Sequence, residues 1–434
     1  MPVTLNTSQP DFESRFAEML SAKREDSADV NDVVAAIIKD VRQRGDAALC
    51  DLTRRFDRLD LTPDRLRLSA DEIAAQIAHV TPQDRTALTL AAERIRAYHA
   101  RQMPEDASWT DPEGATLGWR WTPVSAAGLY VPGGQAAYPS SVLMNAIPAR
   151  VAGVERLAVC VPTPDGHINP LVVLAAQLSG VDEIYRIGGA QAIAALAYGT
   201  DTIAPVDKIT GPGNAYVAAA KRQVFGRVGI DMIAGPSEVL VIAEGPQHPD
   251  WLALDLLAQA EHDADAQAIL VTPDEGLARA VAAEVERLLP TLPRAAIAGA
   301  SWRDHGTVIV TRDLAEAAAV SDRIAPEHLE LCVDDPEALA SQVHHAGAIF
   351  LGGWTPEAAG DYVSGPNHVL PTARSARFSS GLSVMDFLKR TTLSRLDPGS
   401  LAAIGPTAVR LAESEGLSAH GRSITARLAT LNRG

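Results

Sequence analysis

Hydrophobic residues in the first quarter of the chain recur at helical spacing. Apolar residues between positions 30 and 41 fall on one face of a predicted helix, and Gly45 follows as its stop. Ser69 and Glu72 have the spacing of a capping box, which predicts a second helix start. Thr81 and Pro82 predict a third start, with the helix running to about His99. A weaker amphipathic arm over residues 1–26 precedes this helical region.

From Ala127 the pattern changes to buried strands that alternate with helices. Strands are predicted at residues 128–131, 157–161 and 184–187, and helices at residues 141–151, 170–178, 191–198 and from 214 to about 224. Such a βα series is typical of a mostly parallel sheet that is covered by helices.

The same alternation starts again after Gly235 and Pro236. Strands are predicted at residues 239–243, 268–272, 307–310, 329–333 and 348–351, and helices at residues 250–262, 274–289 and 314–324. The predicted fold class is therefore α/β, with two similar Rossmann-like βα domains with parallel sheets, a helical N-terminal region and a C-terminal helical tail. The predicted units are an arm at 1–26, a first domain at 27–126 plus 236–374, a second at 127–235, and a tail at 375–434 that is loop and then two helices.

Length and charge limit the classes of function. The chain has 434 residues, 47% of them hydrophobic, and a formal net charge of −16. Nucleic-acid partners and anionic membrane surfaces need clustered basic residues, so both are excluded as partners. The three cysteines, Cys50, Cys160 and Cys332, form no CxxC pair, which favours a reducing compartment. With no apolar stretch of membrane-spanning length and no signal-peptide pattern at the start, the predicted location is the cytoplasm.

Glu327 and His328 are the first candidates for chemistry. The residue before Pro326 avoids the helical region, so the helix that precedes it must end near Ala325. The pair is therefore predicted in a turn between that helix and the next strand. A histidine near neutral pKa and an adjacent carboxylate are suited to proton transfer, although an isolated Glu-His pair is more often a solvated surface pair.

Three further pairs carry polar groups that suit a metal or a substrate. Gln259 and His262 stand three apart at a predicted helix end and share a face, although a solvated helix end is the simpler interpretation. Asp361 and His368 flank a Gly-Pro-Asn turn, where local turn chemistry is the alternative. Glu415 and His420 lie near the C-terminus, where a polar tail would normally be expected.

Glycine-rich segments follow three strands of the first series. They are Gly133-Gly134, Gly188-Gly189-Ala190-Gln191 and Gly211-Pro212-Gly213-Asn214. Each taken singly is more simply a tight turn, and none matches the usual dinucleotide fingerprint. Three such strand ends together indicate a ligand at the carboxyl edge of a parallel sheet, where helix starts attract anions.

The same segments resemble the histidinol dehydrogenase family over nearly the whole chain. The matching stretches are GLYVPGG from Gly128, IGGAQAIAALAYGT from Ile187, DKITGPGNAYV from Asp207, IDMIAGPSEVLVIA from Ile230, LLAQAEHDADAQ from Leu256, RIAPEHLEL from Arg323, GDYVSGPNHVLPT from Gly360 and FSSGLSVMDFLKR from Phe378. The loop Leu370-Pro371-Thr372-Ala373-Arg374 departs from the family pattern, since it lacks the glycine often found after the threonine.

The resemblance implies an enzyme that oxidises L-histidinol through L-histidinal to L-histidine with two NAD, in the last step of histidine biosynthesis. It implies one Zn²⁺ per subunit and a homodimer whose partner supplies Glu415 and His420. The site residues that it implies are the acid/base pair Glu327 and His328; the NAD contacts Tyr130, Gln191 and Asn214; the zinc ligands Gln259, His262, Asp361 and His420; and the substrate contacts Ser237, Gln259, His262, His328, Asp361, His368, Glu415 and His420.

Two other functions remain open from the sequence. A related zinc and NAD dehydrogenase would oxidise a different small alcohol, such as a sulfonated propanediol, on the same scaffold. A non-catalytic protein with two α/β lobes would bind a small ligand or a metal in the cleft between them, although such a protein does not need an adjacent Glu-His pair.

Overall fold

Two parallel sheets with helices on both faces form most of the molecule in the computed structural model. The structure describes residues 2–21, 28–133, 138–233 and 235–431. Gly134, the end of the predicted arm at 22–26 and the end of the tail beyond 431 lie outside the described residues. No helix within the described ranges is both long enough and apolar enough to cross a membrane.

The elements before the first sheet series are mainly helical. They are β1 (Val3–Asn6), α1 (Phe12–Ser21), α2 (Ala28–Arg44), α3 (Asp46–Asp57), α4 (Ala70–Ile77), α5 (Pro82–Ala100), β2 (Ala107–Thr110) and β3 (Thr116–Pro123). The predicted helix starts are confirmed: Ser69 and Glu72 form the capping box of α4, and the Thr81 side chain caps α5.

The next elements build a five-stranded parallel sheet. They are β4 (Ala126–Tyr130), α6 (Pro139–Ala152), β5 (Arg156–Cys160), α7 (Pro170–Leu178), β6 (Glu183–Tyr185), α8 (Gly189–Tyr198), β7 (Lys208–Thr210), α9 (Ala215–Val224) and β8 (Gly229–Ile230). The strand order is β6-β5-β4-β7-β8, and every pair is parallel. The predicted strands and helices of this series lie within two residues of the observed ones.

The third group builds a six-stranded parallel sheet. It consists of β9 (Glu238–Ala243), α10 (Pro249–Ala260), β10 (Gln267–Thr272), α11 (Glu275–Leu288), α12 (Ala295–Asp304), β11 (Thr307–Val310), α13 (Leu314–Ile324), β12 (His328–Cys332), α14 (Pro336–Ala340) and β13 (Ala348–Leu351). The strand order is β1-β11-β10-β9-β12-β13, again all parallel.

The N-terminal arm belongs to this six-stranded sheet rather than packing elsewhere. Val3 in β1 is in register with Thr307 in β11, which makes β1 the edge strand. Phe12 and Phe16 of α1 pack in the same core as Leu240 and Ile309. Only Leu5 of this four-residue strand is buried, so the sequence has no period by which the strand could be recognised.

The helices between the arm and β2 pack on the five-stranded sheet, whereas the sequence analysis grouped them with the other. Val34 of α2 and Leu49 of α3 share a core with Ala158 and Ile193, and Ile95 of α5 lies in the core on the opposite face of that sheet. An amphipathic pattern shows that a helix has a buried face, but it does not show which sheet covers that face.

The last elements are α15 (Glu357–Tyr362), β14 (Leu388–Arg395), α16 (Pro398–Ser414) and α17 (Ser418–Leu431). The predicted loop after residue 375 is wrong where β14 forms. This strand pairs antiparallel with β3, which also pairs with β2 in a small three-stranded sheet. Nearly all of β14 is exposed, so it has no hydrophobic period. The two predicted helices of the tail are confirmed as α16 and α17, which pack against each other.

Candidate active site

His328 is the first residue of β12 and is held by the neighbouring strand. Its Nδ1 lies 3.0 Å from the carbonyl oxygen of Glu238, at the start of β9. A carbonyl oxygen can only accept, so Nδ1 carries the proton and donates it. The other ring nitrogen, Nε2, is therefore the free base. It is buried and has no hydrogen-bond partner within the described part of the chain.

Glu327 precedes the strand in a bend, held by the same residue. One of its carboxylate oxygens, Oε2, accepts the backbone N–H of Glu238 at 2.9 Å. The preceding helix ends as predicted, because Ala325 before Pro326 adopts a left-handed φ of 51°. The prediction that both residues lie in a turn is half wrong. His328 belongs to β12, whose parallel pairing with β9 fixes its backbone more firmly than a loop would.

Two carboxylates of α15 surround the imidazole of His328. Oε1 of Glu357 lies 3.6 Å from Nδ1, and Oδ1 of Asp361 lies 3.9 Å from Nε2. The ligand atoms of His328, Glu357 and Asp361 all lie within 4.8 Å of one another, so these three residues are grouped closely enough to hold a metal ion. Asp361 is also next to His368, whose Nδ1 donates to the Asp361 carbonyl oxygen at 3.0 Å.

Burial dominates the electrostatics of this group. Loss of hydration lowers the pKa of His328 to about 4, against the opposing attraction of Asp361. Burial also raises the pKa of Glu357 well above its usual range, and nearby Asp361 raises it further. His328 is therefore neutral at pH 7, as a general base must be before it takes a proton.

Two further carboxyls lie behind the first pair: buried Glu330, on the same face of β12 as His328, and half-buried Asp255 of α10. Burial raises the pKa of Glu330 well above its usual range, with nearby Asp255 raising it further. The pKa of Asp255 is raised to about 6, mainly by burial. Oε1 of Glu330 accepts the backbone N–H of Glu357 at 2.6 Å and so joins β12 to the start of α15. The sequence analysis assigned no role to Glu330, Glu357 or Asp255.

Gln259 and His262 stand at the end of α10, which packs against α15. The side chain of Gln259 is fully buried, and neither Oε1 nor Nε2 has a hydrogen-bond partner among the described residues. α10 ends at Ala260, so His262 lies just beyond the helix rather than on a shared helical face. His262 is still close enough to contribute to lowering the pKa of both His328 and His368.

The donors in this region fit a borderline metal ion such as Zn²⁺. A buried side-chain amide without a hydrogen-bond partner is rare, and a metal ion bound to its oxygen would account for it. Imidazole and carboxylate groups, which zinc also accepts, lie in the same region. The close group of three includes Asp361 from the predicted ligand set, together with His328 and Glu357, which were not predicted as ligands.

Glu415 and His420 do not join this region in the single chain. Both are exposed, at the end of α16 and in the first turn of α17. No hydrogen bond or ion pair links either side chain to the residues around His328 in the part of the chain that the structure describes. Leu411 and Leu417 of this helical hairpin are also exposed.

The predicted NAD contacts meet at the carboxyl edge of the five-stranded sheet. The Tyr130 hydroxyl, at the end of β4, accepts the backbone N–H of Gly189 at 3.1 Å. Gln191 is buried in the first turn of α8, and Asn214 is the exposed N-cap of α9, where its Oδ1 accepts the N–H of Tyr216 and Val217. Tyr130 ends β4, and Gln191 and Asn214 follow β6 and β7.

Glycine is required where these strand ends approach one another. A Cβ atom on Gly133 or Gly188 would lie 2.5 or 2.4 Å from Pro162, and one on Gly211 would lie 2.0 Å from the Tyr130 carbonyl oxygen. At this edge, main-chain atoms of neighbouring segments therefore lie close together without intervening side chains. Such a surface, with two helix N-termini beside it, fits the pyrophosphate of a dinucleotide.

Two more segments complete the region around His328. Ser237 directly precedes β9 and is half-buried, beside the Glu238 backbone that holds Glu327 and His328. The Oε1 atom of Glu238 accepts the N–H of Ala373. The sequence analysis missed Glu238, although an acidic residue that opens a fully buried strand is itself a signal.

The loop that departs from the family pattern adopts a backbone that glycine favours. Ala373 has a φ of 50° and Arg374 a φ of 64°. Few side chains adopt the left-handed region without strain, which explains why a glycine suits the position after Thr372.

The comparisons with known proteins agree with one another. The family model described as histidinol dehydrogenase matches residues 20–428. Histidinol dehydrogenase of Cereibacter sphaeroides is 74% identical over 434 residues, and that of Rhodospirillum rubrum is 65% identical over 435; each match covers both chains completely. A crystal structure of histidinol dehydrogenase from Elizabethkingia anophelis is 39% identical, with a TM-score of 0.95 and 99% of both chains covered.

Proposed function

The chain belongs to the histidinol dehydrogenase family, and from this premise we propose that it oxidises L-histidinol through L-histidinal to L-histidine with two NAD. As a member of that family it is an oxidoreductase, so the alternative of a non-catalytic binding protein does not hold. The observation that carries the proposal is the state of His328. It is neutral, its Nδ1–H is fixed by the Glu238 carbonyl, and Nε2 is a base with no hydrogen-bond partner in the described ranges.

Gln259, His262 and Asp361 would hold zinc, together with His420 of a second subunit, and Tyr130, Gln191 and Asn214 would contact NAD. When bound, zinc would supply a fixed cationic centre for the imidazole and amine of the substrate, and NAD would supply the hydride acceptor. Ser237, His368 and Glu415 would contact the substrate. The buried, unpartnered amide of Gln259 supports the metal assignment.

In the first oxidation, Nε2 of His328 takes the hydroxyl proton as the alcohol carbon loses a hydride. The resulting aldehyde must add water before it can be oxidised again. Glu327 takes a proton from that water as its oxygen adds to the aldehyde carbon, and protonated His328 returns its proton to the carbonyl oxygen, which forms the hydrate and restores neutral His328. His328 then takes a hydroxyl proton of the hydrate as the second hydride leaves, and the product is a carboxylic acid, which ionises at neutral pH. Retaining the aldehyde between the two steps protects a reactive intermediate from side reactions.

The proposal includes a homodimer with a shared site. Glu415 and His420 are needed beside His328, yet the single chain leaves them on an exposed hairpin with exposed leucines. A second subunit would both cover these leucines and receive the two polar groups. The cytoplasmic location remains a prediction, and three free cysteines fit a reducing compartment.

An assay of NADH absorbance tests the reaction. Purified protein with zinc and NAD is expected to form two NADH per L-histidinol consumed and to release histidine. Activity with a sulfonated propanediol and none with histidinol would show that the enzyme oxidises the other alcohol and not histidinol. One NADH per histidinol, with free histidinal accumulating, would contradict the second oxidation.

Complementation between variants tests the shared site. The His420→Ala and Glu327→Gln proteins are each expected to be weakly active in forming histidine. After mixing and subunit exchange, one of the two sites in a hybrid dimer contains both native residues, so activity should return. Exchange can be followed by native mass spectrometry. Hybrid dimers without recovered activity would contradict the contribution of His420 by the partner.

A further inference from the structure

A buried ion pair lies at the carboxyl edge of the five-stranded sheet and is not among the proposed catalytic or ligand-binding residues. Lys221 of α9 pairs with Asp231, which directly follows β8, and their side chains are only 2% and 1% exposed. Burying two charges has a large desolvation cost, so the groups that this pair contacts are of interest.

Both ends of the pair bind the same residue, Gly211. Nζ of Lys221 donates to the Gly211 carbonyl oxygen at 2.9 Å. Oδ2 of Asp231 accepts the Gly211 N–H at 2.8 Å. The ammonium and the carboxylate therefore hold the acceptor and the donor of one residue at once. We call Lys221 and Asp231 the Gly211 clamp.

A small movement of Gly211 would alter the backbone arrangement at the carboxyl ends of β4 and β7. It follows β7 and is in close contact with the backbone of Tyr130, the last residue of β4. Its φ of 114° lies outside the regions that other residues favour. Three residues later, Asn214 caps α9, and α9 in turn carries Lys221. The clamp thus closes a ring through the loop and the first turns of the helix.

We propose that Lys221 and Asp231 are positioning residues of the dinucleotide site, which act by fixing Gly211 between Tyr130 and the start of α9. This inference rests on the proposed function, because it takes the carboxyl edge of this sheet as the NAD site. Neither clamp residue touches the nucleotide. They set the distance between the strand end that carries Tyr130 and the helix start that carries Asn214.

A matched ion pair at the opposite edge of the same sheet serves as the control. Arg156 begins β5 and pairs with Glu183, which begins β6, at 3.1 Å. Arg156 also donates to the carbonyl oxygens of Ala204 and Pro205, so it too joins an ion pair to a loop backbone. It lies at the amino edge, away from Tyr130 and Asn214.

The test compares two double variants that each remove both charges of a pair. In Lys221→Met/Asp231→Leu no buried charge is left alone, since replacing a buried ion pair by apolar residues commonly preserves folding. We expect its Kd for NAD, measured by isothermal titration calorimetry, to rise about tenfold, which corresponds to about 1.4 kcal/mol. Its KM for NAD should rise with the Kd, while kcat at saturating NAD and bound zinc stay near the wild-type values. Arg156→Met/Glu183→Leu should keep the wild-type Kd for NAD.

The outcomes separate the clamp from the proposed function. A wild-type Kd for NAD in the clamp variant, or equal rises in both variants, would overturn the clamp. If the double variant does not fold, Asp231→Asn, which keeps an oxygen for the Gly211 N–H, is measured in its place: a Kd for NAD above the wild-type value supports the clamp, and a wild-type Kd overturns it. If the wild-type protein binds NAD but does not oxidise histidinol, the proposed substrate is wrong. The NAD titrations of the two double variants would still test the role of the clamp. Wild-type protein that binds no NAD would overturn both.

Discussion

The five-stranded and six-stranded sheets have the same strand order but carry their candidate functional groups at opposite edges. The order β6-β5-β4-β7-β8 in one corresponds to β11-β10-β9-β12-β13 in the other, with β1 added at the edge. In each sheet the order of strand addition changes sides beside the first strand of the series. Strands are added on one side of β4 or β9, and β7 or β12 is then added on the other side. Tyr130 and Gly211 follow the carboxyl ends of β4 and β7, whereas Glu238 and His328 begin β9 and β12.

This difference matches the charge of the ligand that each edge would receive. The carboxyl edge of a parallel sheet collects helix N-termini, here those of α8 and α9, whose N–H groups favour an anion such as pyrophosphate. The amino edge collects helix C-termini, here those of α10 and α13, whose carbonyl groups favour a cation. A common fold thus offers two sites of opposite electrostatic preference.

The two edges also differ in what presents the polar groups. The edge proposed to bind the nucleotide relies on backbone, since glycines allow close approach and a buried ion pair satisfies Gly211. The edge around His328 relies on buried side chains, several of which have no hydrogen-bond partner among the described residues. Damage to the first should therefore act on nucleotide affinity and stability, and damage to the second on chemistry and pH response.

The largest effect is expected from removal of the base. His328→Gln keeps much of the side-chain volume but cannot take a proton at neutral pH. Both half-reactions should slow about 10³-fold, a typical loss for a general base. Because His328 lies in the six-stranded half, the Kd for NAD should stay unchanged in a calorimetric titration. A parallel loss of NAD affinity would contradict the separation of the two edges.

The next effect is expected at the opposite edge. Gly211→Ala places a methyl group 2.0 Å from the Tyr130 carbonyl oxygen, at a φ of 114°. Overpacking and backbone strain together should lower the free energy of unfolding by about 3 kcal/mol and weaken NAD binding. Gly226→Ala is the control, since its φ is 96° with no atom within 4 Å, so that only strain remains. Denaturant melts of both variants, with and without NAD, measure the loss of stability and the loss of NAD binding.

Stability against acid should depend on the six-stranded half. Burial lowers the pKa of His328 to about 4, so between pH 6.5 and 4 the unfolded chain takes up a proton that the folded chain does not. The contribution of His328 to the free energy of unfolding therefore falls by up to about 3 kcal/mol as the pH falls through this window in metal-free protein, while the raised pKa values of Glu330 and Glu357 act in the opposite direction. His328→Gln should remove this contribution, so that in pH-dependent melts the variant gains stability relative to the wild type as the pH falls. His99→Gln, at a buried histidine of the five-stranded half, should give a smaller relative change, and equal changes would contradict the comparison.

The roles of the adjacent pair can be separated within one edge. Glu327→Gln keeps an oxygen to accept the Glu238 N–H, but it cannot take a proton from water. Aldehyde oxidation should slow about 10²-fold, while alcohol oxidation stays near the wild-type rate. Stopped-flow measurements that start from histidinol and from histidinal measure the two steps. Equal losses in alcohol oxidation and aldehyde oxidation would contradict a role for Glu327 in the aldehyde step alone.

The smallest effect is expected in the loop between the two halves. Ala373→Gly relieves a left-handed backbone, and this relief exceeds the entropy that glycine adds to the unfolded chain, so stability should rise by about 0.5 to 1 kcal/mol. Ala78→Gly, at a φ of −63°, should instead lose stability. Thermal melts of the two variants measure the difference, and a loss in both would mean that Ala373 is not strained.

Local sequence signals predicted the elements well, because helix caps and strand periods act over a few residues. Ser69, Thr81 and Asn169 each cap the predicted helix. The arrangement of the helices could not be predicted in the same way, since their apolar faces fit either sheet. The alternating residues around Glu330 suggested no buried acid, yet helices cover both faces of β12 and bury it.

The sequence proposed residues for the candidate site, but it could not show their contacts, burial or protonation. Glu327 and His328 are neighbours in sequence, but their shared attachment to Glu238 depends on the pairing of β12 with β9. The unpartnered amide of Gln259 becomes visible only when its burial is known. Glu415 and His420 stand apart within one chain, so only the family resemblance links them to the site.

The position of β1 has a consequence for the order in which the chain folds during synthesis. Val3 pairs with Thr307, so the edge of the six-stranded sheet closes only after all strands of the five-stranded sheet have been made. At typical rates of translation, β1 would remain unpaired for roughly 15 to 60 seconds. The five-stranded half can form its sheet in that time. During that time β1 remains accessible to chaperones and proteases.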